Sequence, residues 1–222
     1  MHCYEASGVS LQNIFCEYHT FARLPDSKHW RMKFISKILM KLLGWKVIGG
    51  VPPDIRKCVL IAVPHTSNWD FLYGRQTLYI FGVKLKYLIK KELFFFPLNL
   101  LFMATGGIAV DRKKSYNIVN NMIELFDKYD TLFLMFAPEG TRSRVEKWKT
   151  GFYHVAIGAK VPILMGYIDY EKKITGVGPA FYPSGDVKKD FEFMEDFYKK
   201  FTPRKPENYN PEIFIREEMP AA

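Results

Sequence analysis

Residues 58–71 read CVLIAVPHTSNWDF. CVLIAV is an unbroken apolar run of strand length, as expected for a strand buried on both faces. The chain leaves that run through Pro64 and His65, and Asp70 follows five residues after the histidine. In an open α/β sheet, ligands bind beyond the carboxyl ends of the strands, which is where His65 falls. An imidazole titrates near pH ~6.5, so it can take up a proton at neutral pH. A carboxylate on its other nitrogen fixes the tautomer and stabilises the imidazolium. The pair is either two ordinary loop residues or a base with its orienting acid, and the remaining sequence has to decide.

Working outward, strands and helices alternate. Lys33, Lys37 and Lys41 recur every four residues, with Phe34, Ile35, Ile38, Leu39, Leu42 and Leu43 between them. This predicts a basic amphipathic helix over 32–45, suited to lying on a membrane surface. A helix follows the histidine stretch over about 69–81. KLKYLIKK (84–91) reads as a strand, 93–103 as a helix interrupted by Pro97, and GGIAVDR (106–112) as a third strand. Ser115 can cap the next helix, TLFLMFA (131–137) is a buried strand, and 150–160 is a short helix. VPILMGYID (161–169) and ITGVGPAFY (174–182) are strands, and Asp186 can cap a last helix. The expectation is an α/β fold: a largely parallel, mixed sheet covered by helices on both faces, with an amphipathic membrane-docking helix in front.

The chain has 222 residues, of which 48% are hydrophobic, enough for one domain with a sizeable core. We divide it into an N-terminal extension over 1–31, which lacks any sustained period and is expected to be poorly ordered or upstream of the natural start, a domain over 32–202, and a loosely held, Pro-rich tail over 203–222. Formal net charge is +9, which points to an anionic partner. Three cysteines without a C-x-x-C give neither a disulfide framework nor a zinc site, and suit a reducing compartment. The longest apolar stretch, 93–110, is broken by Pro97, Asn99 and a Gly pair, so no spanning helix is expected. No zinc finger or other nucleic-acid motif accompanies the charge, and no nucleic-acid partner is expected.

Two more strand ends carry polar clusters. APEGTRS (137–143) places Glu139, Gly140, Thr141 and Arg142 directly after a buried strand; glycine admits close backbone approach and arginine offers a planar fork for phosphate. VDRKK (110–114) places Arg112 after another. No G-x-S-x-G elbow or Cys–His pair supplies a nucleophile. If His65 is a base, it more simply activates a hydroxyl on the substrate, which means group transfer to an alcohol.

HTSNWD, then KKEL with Pro97, then GGIAVDR, then PEGTRS, then VPI resemble the ordered blocks of the glycerolipid acyltransferases, the family of 1-acylglycerol-3-phosphate acyltransferases and their lysophospholipid relatives. The resemblance covers roughly residues 33–182. It implies transfer of a fatty acyl chain from acyl-CoA or acyl-carrier protein to a lipid hydroxyl, with the thioester as co-substrate and neither metal nor other cofactor. It implies His65 as general base, Asp70 as its orienting acid, and Arg112, Glu139, Gly140, Thr141 and Arg142 as the binding set for a lysophosphatidate-like acceptor. Backbone N–H groups near His65 or Thr66 are candidates for the oxyanion site. The expected partners are the lysolipid, the acyl thioester and a membrane surface, at the cytoplasmic face, as a peripheral or monotopic protein in phospholipid biosynthesis. Pro64 stands where many members carry Asn, and the spanning helices of many members are absent from this sequence. That opens the acceptor to other lysolipids or an amino-acid lipid. A non-catalytic lipid-binding protein on the same fold is the alternative; it would not need both His65 and Asp70.

Overall fold

The computed structural model describes residues 27–110 and 118–213. Seven strands form one sheet in the order β1-β7-β6-β2-β5-β3-β4. They are β1 (Lys46–Gly49), β2 (Lys57–Val63), β3 (Leu85–Lys90), β4 (Gly107–Val110), β5 (Leu132–Phe136), β6 (Ile163–Asp169) and β7 (Ile174–Phe181). Every pairing is parallel except β6–β7, an antiparallel hairpin, so the sheet is mixed and largely parallel as expected. The helices are α1 (Ser27–Leu42), α2 (Asn68–Phe81), α3 (Leu98–Ala104), α4 (Ile118–Lys128), α5 (Gly151–Ala159) and α6 (Val187–Tyr198).

β2 is central, and its side chains show why its sequence is continuously apolar. Val59, Ile61 and Val63 point into one core with Phe126 of α4, Phe152 of α5 and Phe191 of α6. Cys58 and Leu60 point into the opposite core with Leu78 of α2. Alternation by two along a strand covered on both faces leaves no polar position. The Cys58 thiol sits in that second core, where burial raises its pKa above the ordinary thiol range.

Three features differ from the sequence reading: the start of α1, the strand β1 and the packed tail. α1 begins at Ser27, so its first turn lies within the segment assigned to the N-terminal extension. The helix packs on the domain through Ser36 and Met40, and the buried Ser36 hydroxyl donates to Gln76 of α2 (2.8 Å). Phe34, Ile35, Ile38 and Leu42 face outward beside the lysines, as a helix lying on a membrane surface requires. β1 has no counterpart in the sequence reading; four half-exposed residues give no alternation to detect. The tail expected to be loose is held down as far as residue 213. Tyr209 and Ile213 are buried in the first core, and Trp148 donates its backbone N–H to the Ile213 carbonyl (3.1 Å). Prolines interrupt that segment, so its two anchoring side chains follow no periodic pattern.

Candidate active site

β2 ends at Val63, and a cis peptide joins it to Pro64. Ser67 then caps α2: its hydroxyl accepts from the Trp69 N–H (3.1 Å). Asp70, at the third helical position, closes a capping box by accepting from the Ser67 N–H (2.6 Å). The same oxygen, Oδ2, accepts the Thr66 N–H (2.6 Å). The H-x-x-x-x-D spacing therefore has a local cause. The carboxylate is tied to the turn that carries the histidine, and its Oδ2 lies 3.9 Å from His65 Nδ1. That distance is too long for a hydrogen bond and is of the loose kind found in catalytic pairs before substrate binds. The other oxygen, Oδ1, accepts from the Tyr170 hydroxyl (2.5 Å), which reaches it from the β6–β7 turn.

Glu139 sits beneath this turn. It is buried, and its Oε1 accepts the His65 N–H (3.0 Å). Its Oε2 is buried with no hydrogen-bond partner, as is the Tyr209 hydroxyl. Burial pushes the Glu139 carboxyl up to about 7; hydrogen bonds from its own and the His65 backbone oppose the shift, and the Asp70 charge adds to it. His65 moves the other way. Burial lowers its pKa first, the Asp70 charge raises it and the Arg142 charge lowers it, and the net shift is downward. A neutral imidazole at neutral pH is the form that can accept a proton.

A cavity of about 710 Å³ opens at this point. His65, Asp70, Gly140, Thr141 and Arg142 line it together, so five of the seven residues singled out in the sequence share one space. Its interior runs between α2 and the sheet, past Leu60, Leu78, Leu85 and Val177. Glu139 is not among the lining residues; its carboxylate faces the His65 backbone. Arg112 lies outside the described residues, two positions beyond the end of β4. The expected oxyanion donors are already engaged, because the His65 N–H is bound to Glu139 and the Thr66 N–H to Asp70. Among the described residues, no group of three or more His, Cys, Asp or Glu could hold a metal ion.

Three residues absent from the sequence reading matter here. Tyr170 touches Asp70 across 100 positions of chain, which no local pattern shows. Lys149 lies over Gly140, whose left-handed backbone (φ 68°) turns the loop; a Cβ added there would meet Lys149 Nζ at 2.8 Å. That puts a cation against Gly140, two positions before Arg142, although Lys149 does not itself line the cavity; its one sequence signal is the basic run Lys147–Trp148–Lys149. Arg204, from the C-terminal strap, stacks over Trp69 (5.1 Å) and Tyr170 (5.9 Å), and the neighbouring Lys205 N–H donates to Thr66 Oγ1 (3.3 Å).

The sequence profile described as Acyltransferase matches residues 51–168, from the loop before β2 to the penultimate residue of β6. The chain belongs to this acyltransferase family. Among curated relatives, the 1-acyl-sn-glycerol-3-phosphate acyltransferase of Haemophilus influenzae is 33% identical over 135 residues, covering 57% of this chain and 55% of that protein. The Escherichia coli protein of the same description is 31% identical, covering 57% and 54%. The chain thus matches about half the length of these relatives. Among solved structures, the 1-acyl-sn-glycerophosphate acyltransferase PlsC of Thermotoga maritima superposes with a TM-score of 0.56 at 18% identity, over 78% of this chain and 77% of that one. At that identity the likeness concerns the fold, which is the α/β architecture expected from the sequence.

Proposed function

We propose that the protein transfers a fatty acyl chain from acyl-CoA or acyl-carrier protein to a free hydroxyl of a lysophosphatidate-type acceptor at the cytoplasmic face of a membrane. The observation that carries this reading is the cavity: one space holds His65 with Asp70, a cationic rim and an apolar interior, in a chain of the acyltransferase family. In this reading His65 Nδ1 faces Asp70, and Nε2 removes the acceptor proton as the acceptor oxygen attacks the thioester carbonyl. The electron pair collects on the carbonyl oxygen. It returns as the carbon–sulfur bond breaks, and the imidazolium gives its proton to the departing thiolate. An ester forms, a thioester is consumed, and no acyl-enzyme is needed. With the His65 and Thr66 amides engaged, Arg142 in the cavity wall is the source of stabilisation for the oxyanion and the acceptor phosphate.

Lipid access follows from where apolar surface remains exposed. Leu42 of α1 is 80% exposed and Phe96, ahead of α3, is 76% exposed, with Leu100, Leu101 and Met103 beside it. Leu93, just before that segment, and Phe102, within it, also line the cavity. Apolar side chains around a cavity mouth, with lysines along α1, suit a surface that rests on anionic lipid while the substrate tail stays in the bilayer. Among the described residues, no helix is long and apolar enough to cross a membrane. The test is transfer of labelled acyl chains from acyl-CoA and from acyl-carrier protein to a panel of lysolipids on anionic vesicles. Ester formation on lysophosphatidate is expected. Vesicle binding without transfer to any acceptor from either donor would leave a lipid-binding protein.

A further inference from the structure

We propose that Arg204, held on the C-terminal strap beside the catalytic turn, anchors the phosphate on the pantetheine arm of the thioester, a group that acyl-CoA and acyl-carrier protein share. The proposal rests on the acyltransferase reading. Two phosphate-bearing substrates then have to meet at His65, and each needs its own cation. The sheet supplies one on either side. β2, which delivers His65, lies between β5 and β6. Arg142 follows β5. Arg204 is attached beside β6, because Tyr170, the residue after that strand, donates its backbone N–H to the Thr202 carbonyl (2.9 Å).

Arg204 is a positioned charge without a counter-ion. Pro203 before it is buried, and the Lys205 N–H after it donates to Thr66 Oγ1 (3.3 Å), one residue from His65. Its guanidinium carbon sits over the rings of Trp69 (5.1 Å) and Tyr170 (5.9 Å). Ring faces hold the charge in place and leave its N–H groups for oxygen acceptors. Among the described residues, no hydrogen bond or ion pair engages the Arg204 guanidinium or the Lys205 ammonium. Cations close to them in the fold are neutralised: Lys172 pairs with Asp169 (3.1 Å) and Lys199 with Asp196 (2.5 Å). The Arg204 side chain is exposed, so an arriving ligand can reach it. The family profile ends at residue 168, so no block of the family marks this position.

The two anchors sort by reach. Lysophosphatidate carries its phosphate and its free hydroxyl on one glycerol, so its anchor has to stand close to the base. Arg142 does: it lines the cavity with His65, and its charge lowers the His65 pKa. The thioester's phosphate is separated from the reacting carbonyl by the whole pantetheine arm, so its anchor belongs further out. Arg204 is outside the cavity lining, and its charge acts on Tyr170 rather than on His65. With the acyl chain in the apolar interior and the carbonyl at His65, the arm leaves past Trp69 toward Arg204. The planar fork of an arginine matches phosphate oxygens there, and Lys205 adds a second positive charge beside it.

The experiment compares acyl-phosphopantetheine with acyl-pantetheine, the same thioester with and without the phosphate, in transfer to lysophosphatidate vesicles. Wild type is expected to favour the phosphorylated thioester by about tenfold in kcat/KM. In Arg204→Gln that ratio falls toward unity, and Arg204→Lys keeps part of it. A purely structural role would slow both thioesters alike and leave the ratio intact, which overturns the proposal. So does a variant whose ratio is intact while its KM for lysophosphatidate or its vesicle affinity worsens, because Arg204 then serves the acceptor or the bilayer. Parallel arms with acyl-CoA and acyl-carrier protein identify the source. Whichever of them wild type accepts supplies the phosphate, and its KM should rise by about tenfold in Arg204→Gln; an unchanged KM overturns the proposal. Calorimetry with the matching non-reactive thioethers makes the same comparison without turnover. Affinity that depends on both the phosphate and Arg204, in a protein that transfers nothing, would uphold the anchor and reject the acyltransferase reading; equal affinities overturn the anchor.

Discussion

Replacing Asp70 by asparagine removes a charge while nearly preserving shape, so it isolates what the carboxylate does for His65. The charge sits 3.9 Å from Nδ1. With an effective dielectric of ~20 the attraction to an imidazolium is about 4 kcal/mol. His65 retains 19% side-chain exposure, and screening by water brings the usable part to about 2 kcal/mol, or roughly 1.5 pH units. The sign follows from the three influences on His65. Burial and Arg142 lower its pKa and Asp70 alone raises it, so the variant's imidazole is less basic than that of wild type. A general base acts in its neutral form, so the acid limb of the kcat/KM profile moves to lower pH. At the plateau the rate still falls, by about 10²–10⁴, because the imidazolium formed in the transition state has lost its counter-charge and tautomer control. The amide oxygen can still accept one N–H from the turn, so unfolding measured by circular dichroism should show a loss of only about 1 kcal/mol. An acid limb that stays in place or moves upward, in a folded variant, would refute the orienting role of Asp70.

Tyr170→Phe should move the same limb the other way. Without the hydroxyl on Oδ1, the Asp70 charge is less spread and holds an imidazolium more tightly. An upward shift of about half a unit, with a rate loss within tenfold, is expected; a rate loss without any shift would make Tyr170 a packing residue only. Glu139→Gln keeps an acceptor for the His65 N–H and removes an ionisable group. Because the Glu139 pKa is raised from 4.5 to about 7, native protein holds a proton that the unfolded chain releases across that window. Stability is therefore full below the window and declines as pH rises through it, by about 3 kcal/mol. Melting temperatures of the glutamine variant should lose that decline between pH 5 and 7; a slope equal to that of wild type would contradict burial as the cause. Leu42→Ser with Phe96→Ser should weaken binding to anionic vesicles by about tenfold or more, with the melting temperature unchanged, since both side chains are exposed in the folded protein. Undiminished vesicle binding would remove this surface from the docking account.

What the sequence discloses and what it hides divide along physical lines. The strand over 58–63 is legible because a strand covered on both faces has to be apolar at every position. His65, Asp70 and the 137–143 cluster are legible because each follows such a strand directly. Distances along the chain are short there, and local rules apply. β1 is hidden because four half-exposed residues carry no period. The packed tail is hidden because Tyr209 and Ile213 enter the core singly, between prolines. Two outcomes at the site needed coordinates outright. Glu139 follows a strand just as Arg142 does, yet one turns beneath the His65 backbone while the other lines the cavity. Tyr170 acts across space on a group that no spacing connects to it, and its residue type is ordinary for a strand end.

The measurement that bears most directly on the central claim is ester formation on lysophosphatidate vesicles by wild type and His65→Ala, with product identified by mass and folding of both proteins checked by thermal melting. The account predicts diacyl product from wild type and a loss of at least a thousandfold in a folded alanine variant. Equal product from both proteins would contradict it, because the proton of the acceptor hydroxyl would then be leaving by a route that does not pass through His65.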